Sequence, residues 1–232
     1  MKNVTSCILL ALAIWLMPKP SASQPTVTVK AGTKIIDYFP QRERYRYPAF
    51  IDGIAVFKGG TYTESRFNYN VLYGAMEFIQ KGDTLAIANA NQIKMVIIET
   101  DTFYFDNGYL EVLFSNGSCK LALKDYVKIV DTKKQAAYGM TSSTGSITSY
   151  SSISSSPGSF YKLVVNDDLV VRKEKEFYLY TPENGFLLFR KSNLMQSFPG
   201  KEDEIKQYLK QNKVDFGKES DLMDLMKFLA SK

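Results

Sequence analysis

Three acidic residues are the side chains of this sequence best placed to do chemistry. Asp101 and Asp106 precede the dipeptide Asn107-Gly108, and Glu111 follows it. Two carboxylates on either side of a sugar can cleave a glycosidic bond, one as the acid and the other as the nucleophile or base. Acids beside an Asn-Gly dipeptide more often help to form the turn. A glycan-active or carbohydrate-binding protein is therefore the alternative interpretation.

The absence of histidine limits the reactions that are open to the chain of 232 residues. It excludes Ser-His-Asp and Cys-His catalysis, and it removes the usual general base near neutral pH and the commonest zinc ligand. Ser159 and Lys162 have the spacing of a serine–lysine nucleophile, but that pair requires a helix and this segment opens a predicted strand. We predict that the protein is not an enzyme and that it has no cofactor and no metal site.

Aromatic residues are the richer signal, because the chain contains 15 tyrosines and 15 phenylalanines. Most of them fall in predicted strands, where aromatic side chains pack in the core or in cross-strand pairs. A few tyrosines exposed on one sheet face could instead bind a ligand. The candidates for such a platform are Tyr69, Tyr73, Tyr104 and Tyr109.

Short apolar strands separated by turns must position these side chains between Ala49 and Asp131. Asn107-Gly108 and Asn116-Gly117 each lie between β-prone segments, and both residue types tolerate the positive φ of a type I′ hairpin turn. From residue 119 to residue 124 apolar and polar residues alternate, as in a strand with one buried face. The alternation places Cys119, the one cysteine that remains after residues 1–23, on the apolar side as a small buried side chain.

A second β segment follows a serine-rich stretch at 139–159, which we predict to be a mobile loop because it has too few apolar residues to offset its ordering entropy. The predicted strands are 160–165, 169–172, 177–180 and 186–189, and the last two flank a hairpin loop at 181–185. The period then changes to helical. The segment 199–232 contains two amphipathic stretches, which predict a helical pair packed on the sheet.

These elements predict a mainly β (α+β) fold, in which an antiparallel meander curls into a partial barrel or sandwich with a C-terminal helical pair. The β domain spans 49–198, and 24–48 is an extended lead in which 26–29 is a candidate edge strand. Ahead of the lead, Lys2 and the apolar stretch at 7–17 are typical of a signal peptide over residues 1–23. We therefore expect an exported protein of the periplasm or cell surface of a Gram-negative bacterium, with no transmembrane span after cleavage.

Charge argues against nucleic acid as a partner. Without Lys2 and Lys19 the chain retains 27 basic and 24 acidic residues, a net charge of +3, whereas nucleic-acid binding needs a concentrated positive face. The basic and aromatic segment at 42–47 could contact a phosphate or an anionic surface. A solvated lead-in to the first strand of the β domain is the more typical interpretation.

Two long stretches resemble a group of exported bacterial proteins of unknown function. They are FNYNVLYGAMEFIQKGDTLAI at 67–87 and SFPGKEDEIKQYLKQNKVDFGKESDLMDLMKFL at 197–229. The resemblance implies an exported, β-rich protein with a lysine-rich C-terminal helical pair, and it identifies no active residues. We expect a non-enzymatic envelope protein that binds a protein partner or a lipid-like hydrophobic ligand on the concave face of its sheet.

Overall fold

The computed structural model describes residues 25–117, 119–135, 141–143 and 167–231. In this part the chain forms one large antiparallel sheet that is not closed, with helices at the C-terminal end, which confirms the predicted fold class. The predicted signal peptide, the serine–lysine pair, the predicted strand 160–165 and most of the serine-rich loop lie outside the described residues. The loop prediction is wrong at Thr141–Ser143, which forms a short strand because it pairs with residues 133–135. The strands are β1 Thr26–Val29, β2 Ile51–Phe57, β3 Tyr62–Asn70, β4 Ala75–Gln80, β5 Asp83–Ala86, β6 Ile93–Ile98, β7 Asp101–Phe105, β8 Tyr109–Asn116, β9 Cys119–Gln135, β10 Thr141–Ser143, β11 Asp168–Thr181 and β12 Gly185–Leu188.

Five helices accompany the sheet in the described part of the chain. Two short ones lie in the segment 24–48, so the prediction that this whole lead is extended is wrong there, although Thr26–Val29 is an edge strand as predicted. The C-terminal end has one helix before the predicted pair. The helices are α1 Ile35–Tyr38, α2 Gln41–Arg44, α3 Lys191–Ser197, α4 Glu202–Asn212 and α5 Glu219–Ala230.

The strand order shows two meanders on either side of β2. The sheet runs β1-β11-β9-β8-β7-β6-β2-β3-β4-β5, with β10 paired to β9 and β12 paired to β11. The chain passes outward from β2 to the edge strand β5, returns through a 3₁₀ turn at Ala90–Gln92, and places β6 on the other side of β2. This return path brings the connection from β5 to β6 back across the sheet.

The sheet curls strongly around one face. The rings of Tyr69 on β3 and Tyr109 on β8 are 6.2 Å apart, whereas four strand spacings in a flat sheet would separate them by about 19 Å. Gly53 permits the close packing inside the curl, because a Cβ there would collide with the carbonyl oxygen of Ile97. We call the side that carries Tyr69 and Tyr109 the concave face. It encloses an apolar cluster formed by Ala55, Phe67, Tyr69, Val71, Met76, Ile93, Val96, Ile98, Phe103 and Tyr109.

The hairpins predicted at the two Asn-Gly dipeptides form, but the turn type and some strand boundaries differ from the prediction. Asn107 and Gly108 have φ values of +51° and +128°, but Phe105 pairs with Tyr109, so this loop has three residues and is not the two-residue type I′ turn. Asn116 ends β8, pairs with Cys119 and has no positive φ, so the type I′ turn predicted at Asn116-Gly117 is also wrong.

Tyr73, which was predicted to lie on a sheet face, is outside the strands, because β3 ends at Asn70, Val71–Gly74 forms the turn into β4 and Gly74 has a φ of +61°. The strands predicted at 169–172 and 177–180 are parts of β11, which pairs with β9 along its whole length and has one irregularity at Val170/Val171.

The concave face of β9 and β11 is covered by the C-terminal helices, as the helical spacing predicts. Ile205 of α4 and Leu222, Leu225 and Leu229 of α5 are buried. Cys119 is half-buried and packs against the same cluster. Among the described residues, no helix combines the length and the apolar character needed to cross a membrane. The buried members of this helix cluster are Leu121, Leu123, Phe177, Leu179, Phe189, Leu194, Ile205, Leu222, Leu225, Met226 and Leu229.

Candidate functional site

Of the four tyrosines that the sequence suggested as a binding platform, the structure brings Tyr69 and Tyr109 together, but inside the apolar core, and places Tyr73 in another buried cluster. Tyr69 and Tyr109 are each 3% exposed and Tyr73 is 6% exposed. The Tyr69 hydroxyl donates to the main-chain carbonyl of Asp125 at 2.8 Å, so this side chain links β3 to β9 inside the curl. Tyr104 is half-buried and points to the opposite face, because its neighbour Phe103 is in the concave cluster. Of the four, Tyr104 is therefore the one that a ligand could reach without opening the core.

Tyr104 belongs to a second aromatic group on the convex side. Its ring is 5.6 Å from the ring of Phe186 on β12, which is 4.9 Å from Tyr180 on β11. Three strands separate β7 from β12 in the sheet, so this contact requires the sheet to bend locally in the opposite sense. The Lys120 ammonium lies 4.7 Å from the centre of the Tyr180 ring, a cation–π geometry. We call Tyr104, Tyr180, Phe186 and Lys120 the convex aromatic patch.

Two of the three candidate catalytic acids are bound to other side chains. Asp101 accepts a hydrogen bond of 2.6 Å from the Tyr47 hydroxyl. Glu111, which is buried, accepts Arg46 in a bidentate pair, with both Nε–Oε2 and Nη2–Oε1 at 2.9 Å. Asp106 is exposed at the hairpin tip. Two carboxylates that are tied to separate partners do not face a common open cleft, as a glycosidase pair must.

The partners of these acids come from one segment, Arg44–Tyr47, which we call the strap. The strap pairs with the end of β3, because the Arg46 amide donates to the Tyr69 carbonyl at 2.9 Å. Its Tyr45 hydroxyl donates to the fully buried Glu77 at 2.7 Å. The hydrogen bond to Glu111 raises the pKa of Arg46 above its ordinary value. Burial is the main cause that raises the pKa of Tyr45 and Tyr47. The interpretation of this segment as a solvated lead-in is wrong, because Arg46 neutralises the buried Glu111 and the tyrosine hydroxyls donate to Glu77 and Asp101.

Asp125 is a half-buried acid that was not among the candidate residues predicted from the sequence. Its Oδ1 is buried and has no hydrogen-bond partner among the described residues. Burial raises the pKa of this carboxyl, and the ammonium groups of Lys175 and Lys173 on the neighbouring strand oppose the rise. In the sequence, Asp125 is only one polar residue on a strand face whose other residues are apolar. This pattern does not mark it as part of a site.

A cleft lies on the concave face between β2, β3, β4 and β5, with a volume of about 880 Å³. The connection from β5 to β6 lines its far side through Ile87, Ala88 and Asn89. Among its lining residues only Glu64 and Lys81 carry charge, and Leu85 at its rim is 41% exposed. Such a surface, which is mostly apolar with a few polar groups, can bury an apolar group. The apolar lining is formed by Ala55, Phe57, Phe67, Phe78, Ile79, Leu85, Ala86, Ile87, Ala88 and Ile93.

A second cavity of about 740 Å³ lies on the other face of the same strands. Four residues line both cavities, namely Glu64, Ser65, Ile79 and Lys81, and Gly53 lines the second cavity. The two cavities therefore meet where β3 and β4 separate, a place that we call the opening. The charged side chains that line the second cavity are Asp52, Glu64, Arg66, Lys81 and Glu99.

In the described part of the chain, no group of three or more acidic, histidine or cysteine side chains is arranged to hold a metal ion. A scan against protein-family models, a search of curated proteins and a search of solved structures gave no match to the chain. What the cleft and the opening bind is therefore inferred from their geometry and chemistry.

Proposed function

We propose that this protein is an exported, non-enzymatic envelope protein that binds a hydrophobic ligand, or an apolar group of a partner protein, in the cleft on its concave face. The observation that carries the proposal is the apolar cleft of about 880 Å³ between β2 and β5. Its size is within the range of ligand pockets, which are mostly apolar with a few polar groups that orient the ligand. Export and membership of the resembled group are parts of the same proposal, and they rest on the sequence patterns.

The way in which the chain covers its other apolar surfaces supports this assignment. The concave face of β9 and β11 is covered by α3, α4 and α5, but no helix covers the cleft between β2 and β5 among the described residues. Exposed apolar surface of this extent is costly in water, and in soluble proteins it marks binding sites. A ligand or partner group in the cleft would remove Leu85 and the half-buried Phe57 and Phe78 from water.

The state of the carboxylates supports binding over catalysis. Glu111 is held by Arg46 and Asp101 by Tyr47, and neither acid lines the cleft. The cleft itself is lined by one acid, Glu64, and one base, Lys81. The other residues of its lining are uncharged, as in a site that binds an apolar group.

The test is the binding of an uncharged apolar dye, N-phenyl-1-naphthylamine, measured by fluorescence. Thr63 is exposed and lines the cleft, so Thr63→Trp should fill its mouth and weaken dye binding at least about tenfold, which corresponds to about 1.4 kcal/mol. Lys128→Trp adds the same side chain at an exposed position on β9 and should leave binding unchanged. Equal affinity of the two variants, or no dye binding by the parent protein, would contradict the proposal.

The convex aromatic patch favours carbohydrate binding as a second candidate function. Half-buried rings from β7, β11 and β12 form a continuous surface beside the Lys120 ammonium, and a sugar can stack its C–H face on such rings while a cation binds its hydroxyls. Titration calorimetry with maltohexaose and chitohexaose tests this assignment. Tyr104→Ala should abolish any heat of binding, whereas Tyr38→Ala, which removes an exposed tyrosine elsewhere, should not. An equal loss in both variants, or no heat with the parent protein, would refute it.

A further inference from the structure

The edge of β3 that faces β4 is unpaired along half of its length. The Phe57 amide donates to the Thr61 carbonyl at 2.8 Å, and in an antiparallel pair every second residue then directs its N–H and C=O to the same neighbour. The odd-numbered residues of β3 therefore face β2, and the even-numbered ones face β4. The ladder between β3 and β4 begins only at the Phe67–Phe78 pair. Phe67–Phe78 is a non-hydrogen-bonded pair in this register, so the Arg66 carbonyl on its flank is already bonded to the Ile79 amide. In the part of the chain that the structure describes, two residues therefore direct their main-chain groups into the opening without a strand partner, namely Tyr62 and Glu64.

The two cavities lie on opposite faces of the sheet at this unpaired edge. The cleft on the concave face is apolar, and the cavity on the convex face is lined by charged side chains together with Ile54, Ile79 and Ile97. Side chains of a strand alternate between the two faces of its sheet. A strand placed along β3 would therefore direct every second side chain into the apolar cleft and the others toward the charged cavity.

The opening has a closed end and an open end. At the closed end the Ser65 hydroxyl donates to the Ile79 carbonyl at 2.9 Å, next to the first ladder pair. The open end lies between the β2–β3 turn at Gly59-Gly60 and the β4–β5 turn at Lys81-Gly82. The unpaired part of β3 is four residues long, from Tyr62 to Ser65, so it matches an extended segment of about the same length.

We propose that the opening binds one extended segment of a partner protein, in which apolar residues alternate with polar ones. The segment pairs with the free edge of β3, as in β-strand addition, and its apolar side chains fill the cleft. Acids outnumber bases three to two among the charged residues of the convex cavity, which favours a basic residue at a polar position of the segment. This inference rests on the proposed function of the cleft and names its occupant. A lipid would fill the cleft but would leave the main-chain groups of β3 and the charged cavity without partners.

Selection of peptides by the purified protein tests the pattern. The probe is a phage-displayed library of random seven-residue peptides, and we expect enriched sequences with apolar residues at every second position. Enrichment of helical spacing, or no enrichment, would overturn the proposal. Dye binding in the cleft is measured on the same sample, so a protein that binds the dye but selects no alternating peptide refutes this inference alone.

Two changes then test the pairing with β3, using the most enriched peptide as the probe. Glu64→Pro removes an N–H that faces the opening and leaves the bonds to β2 in place, so it should weaken peptide binding at least tenfold. Glu64→Thr retains the N–H and should change the affinity less than threefold.

Methylation of every main-chain nitrogen of the peptide should abolish binding, and this experiment stays decisive if Glu64→Pro does not fold. Unchanged binding of the methylated peptide would refute strand addition. A dimer of the parent protein that Glu64→Pro dissociates would assign the opening to a second copy and would also refute it.

Discussion

The two halves of the sheet treat their concave apolar faces differently. On β9 and β11 the chain covers this face with its own helices, which bury Leu222, Leu225 and Leu229 against the strands. Between β2 and β5 the curl of the sheet and the connection to β6 cover it only in part, and a cleft of about 880 Å³ remains. The first region has the complete packing of a core that maintains the fold. The second has the partial packing that we expect of a surface to which another molecule binds.

The largest expected effect comes from the helix-covered half. Leu225 is fully buried, so Leu225→Ala should lower the free energy of unfolding by about 3 kcal/mol through lost burial and a cavity. Phe78 in the cleft is half-buried, and although Phe78→Ala removes a larger side chain it should cost only about 1 to 2 kcal/mol while it weakens dye binding. Urea denaturation measures both. If Phe78→Ala were the more destabilising change, the cleft would be part of the folding core and the contrast between the halves would be wrong.

The strap joins the end of β3 to the strands between the two halves, and the loss of its ion pair has the next largest expected effect on stability. Arg46→Met leaves the Glu111 carboxylate, whose side chain is 9% exposed, without its bidentate partner. Because Arg46 itself is 43% exposed, we expect a loss of about 2 kcal/mol, less than for a fully buried pair.

The double variant Arg46→Met with Glu111→Leu is the control for this prediction. It removes both charges, so it should be more stable than Arg46→Met alone in the same urea titration. A double variant that is less stable than the single one would show that Arg46 acts by packing and not by neutralising the carboxylate.

Local signals in the sequence predicted the elements whose cause is local. The Asn107-Gly108 turn, the edge strand Thr26–Val29 and the apolar stripe of α5 each follow from residue type and spacing within a few positions. The fold class follows from the sum of these elements. The full length of β11 could not be predicted from such local signals. Its middle residues, Lys173 to Glu176, are charged, and pairing with β9 holds them in a strand.

The candidate site depends on contacts between distant residues, which a single sequence does not reveal. Arg46 and Glu111 are 65 residues apart, and the cleft exists because β6 returns beside β2 and not beside β5. The tyrosines show the same limit. Alternation gives the two faces of a strand, so Phe103 and Tyr104 must differ in burial, but the direction of the curl decides which face is enclosed.

The smallest expected effect concerns Asp125, which lies between the two halves on β9. Residues 121 and 123 of this strand face belong to the helix cluster, and residues 127 and 129 face another apolar cluster with Leu72 and Tyr73 of the β3–β4 turn. The groups that face the carboxyl are Lys173 and Lys175 from β11, Glu111 from β8 and Arg46 from the strap.

Burial raises the pKa of Asp125 above its ordinary value of 3.8, so the folded protein binds more protons than the unfolded chain between these two values. The free energy of unfolding contributed by this group therefore falls as the pH rises through that window, and the loss is complete above the raised pKa. Asp125→Asn cannot ionise, and it retains the main-chain carbonyl that accepts the Tyr69 hydroxyl. The stability of the variant relative to the parent should therefore increase from pH 3 to pH 7 in urea titrations. A difference that stays constant with pH would mean that Asp125 is solvated in the folded protein, and that water reaches the boundary between the two halves of the sheet.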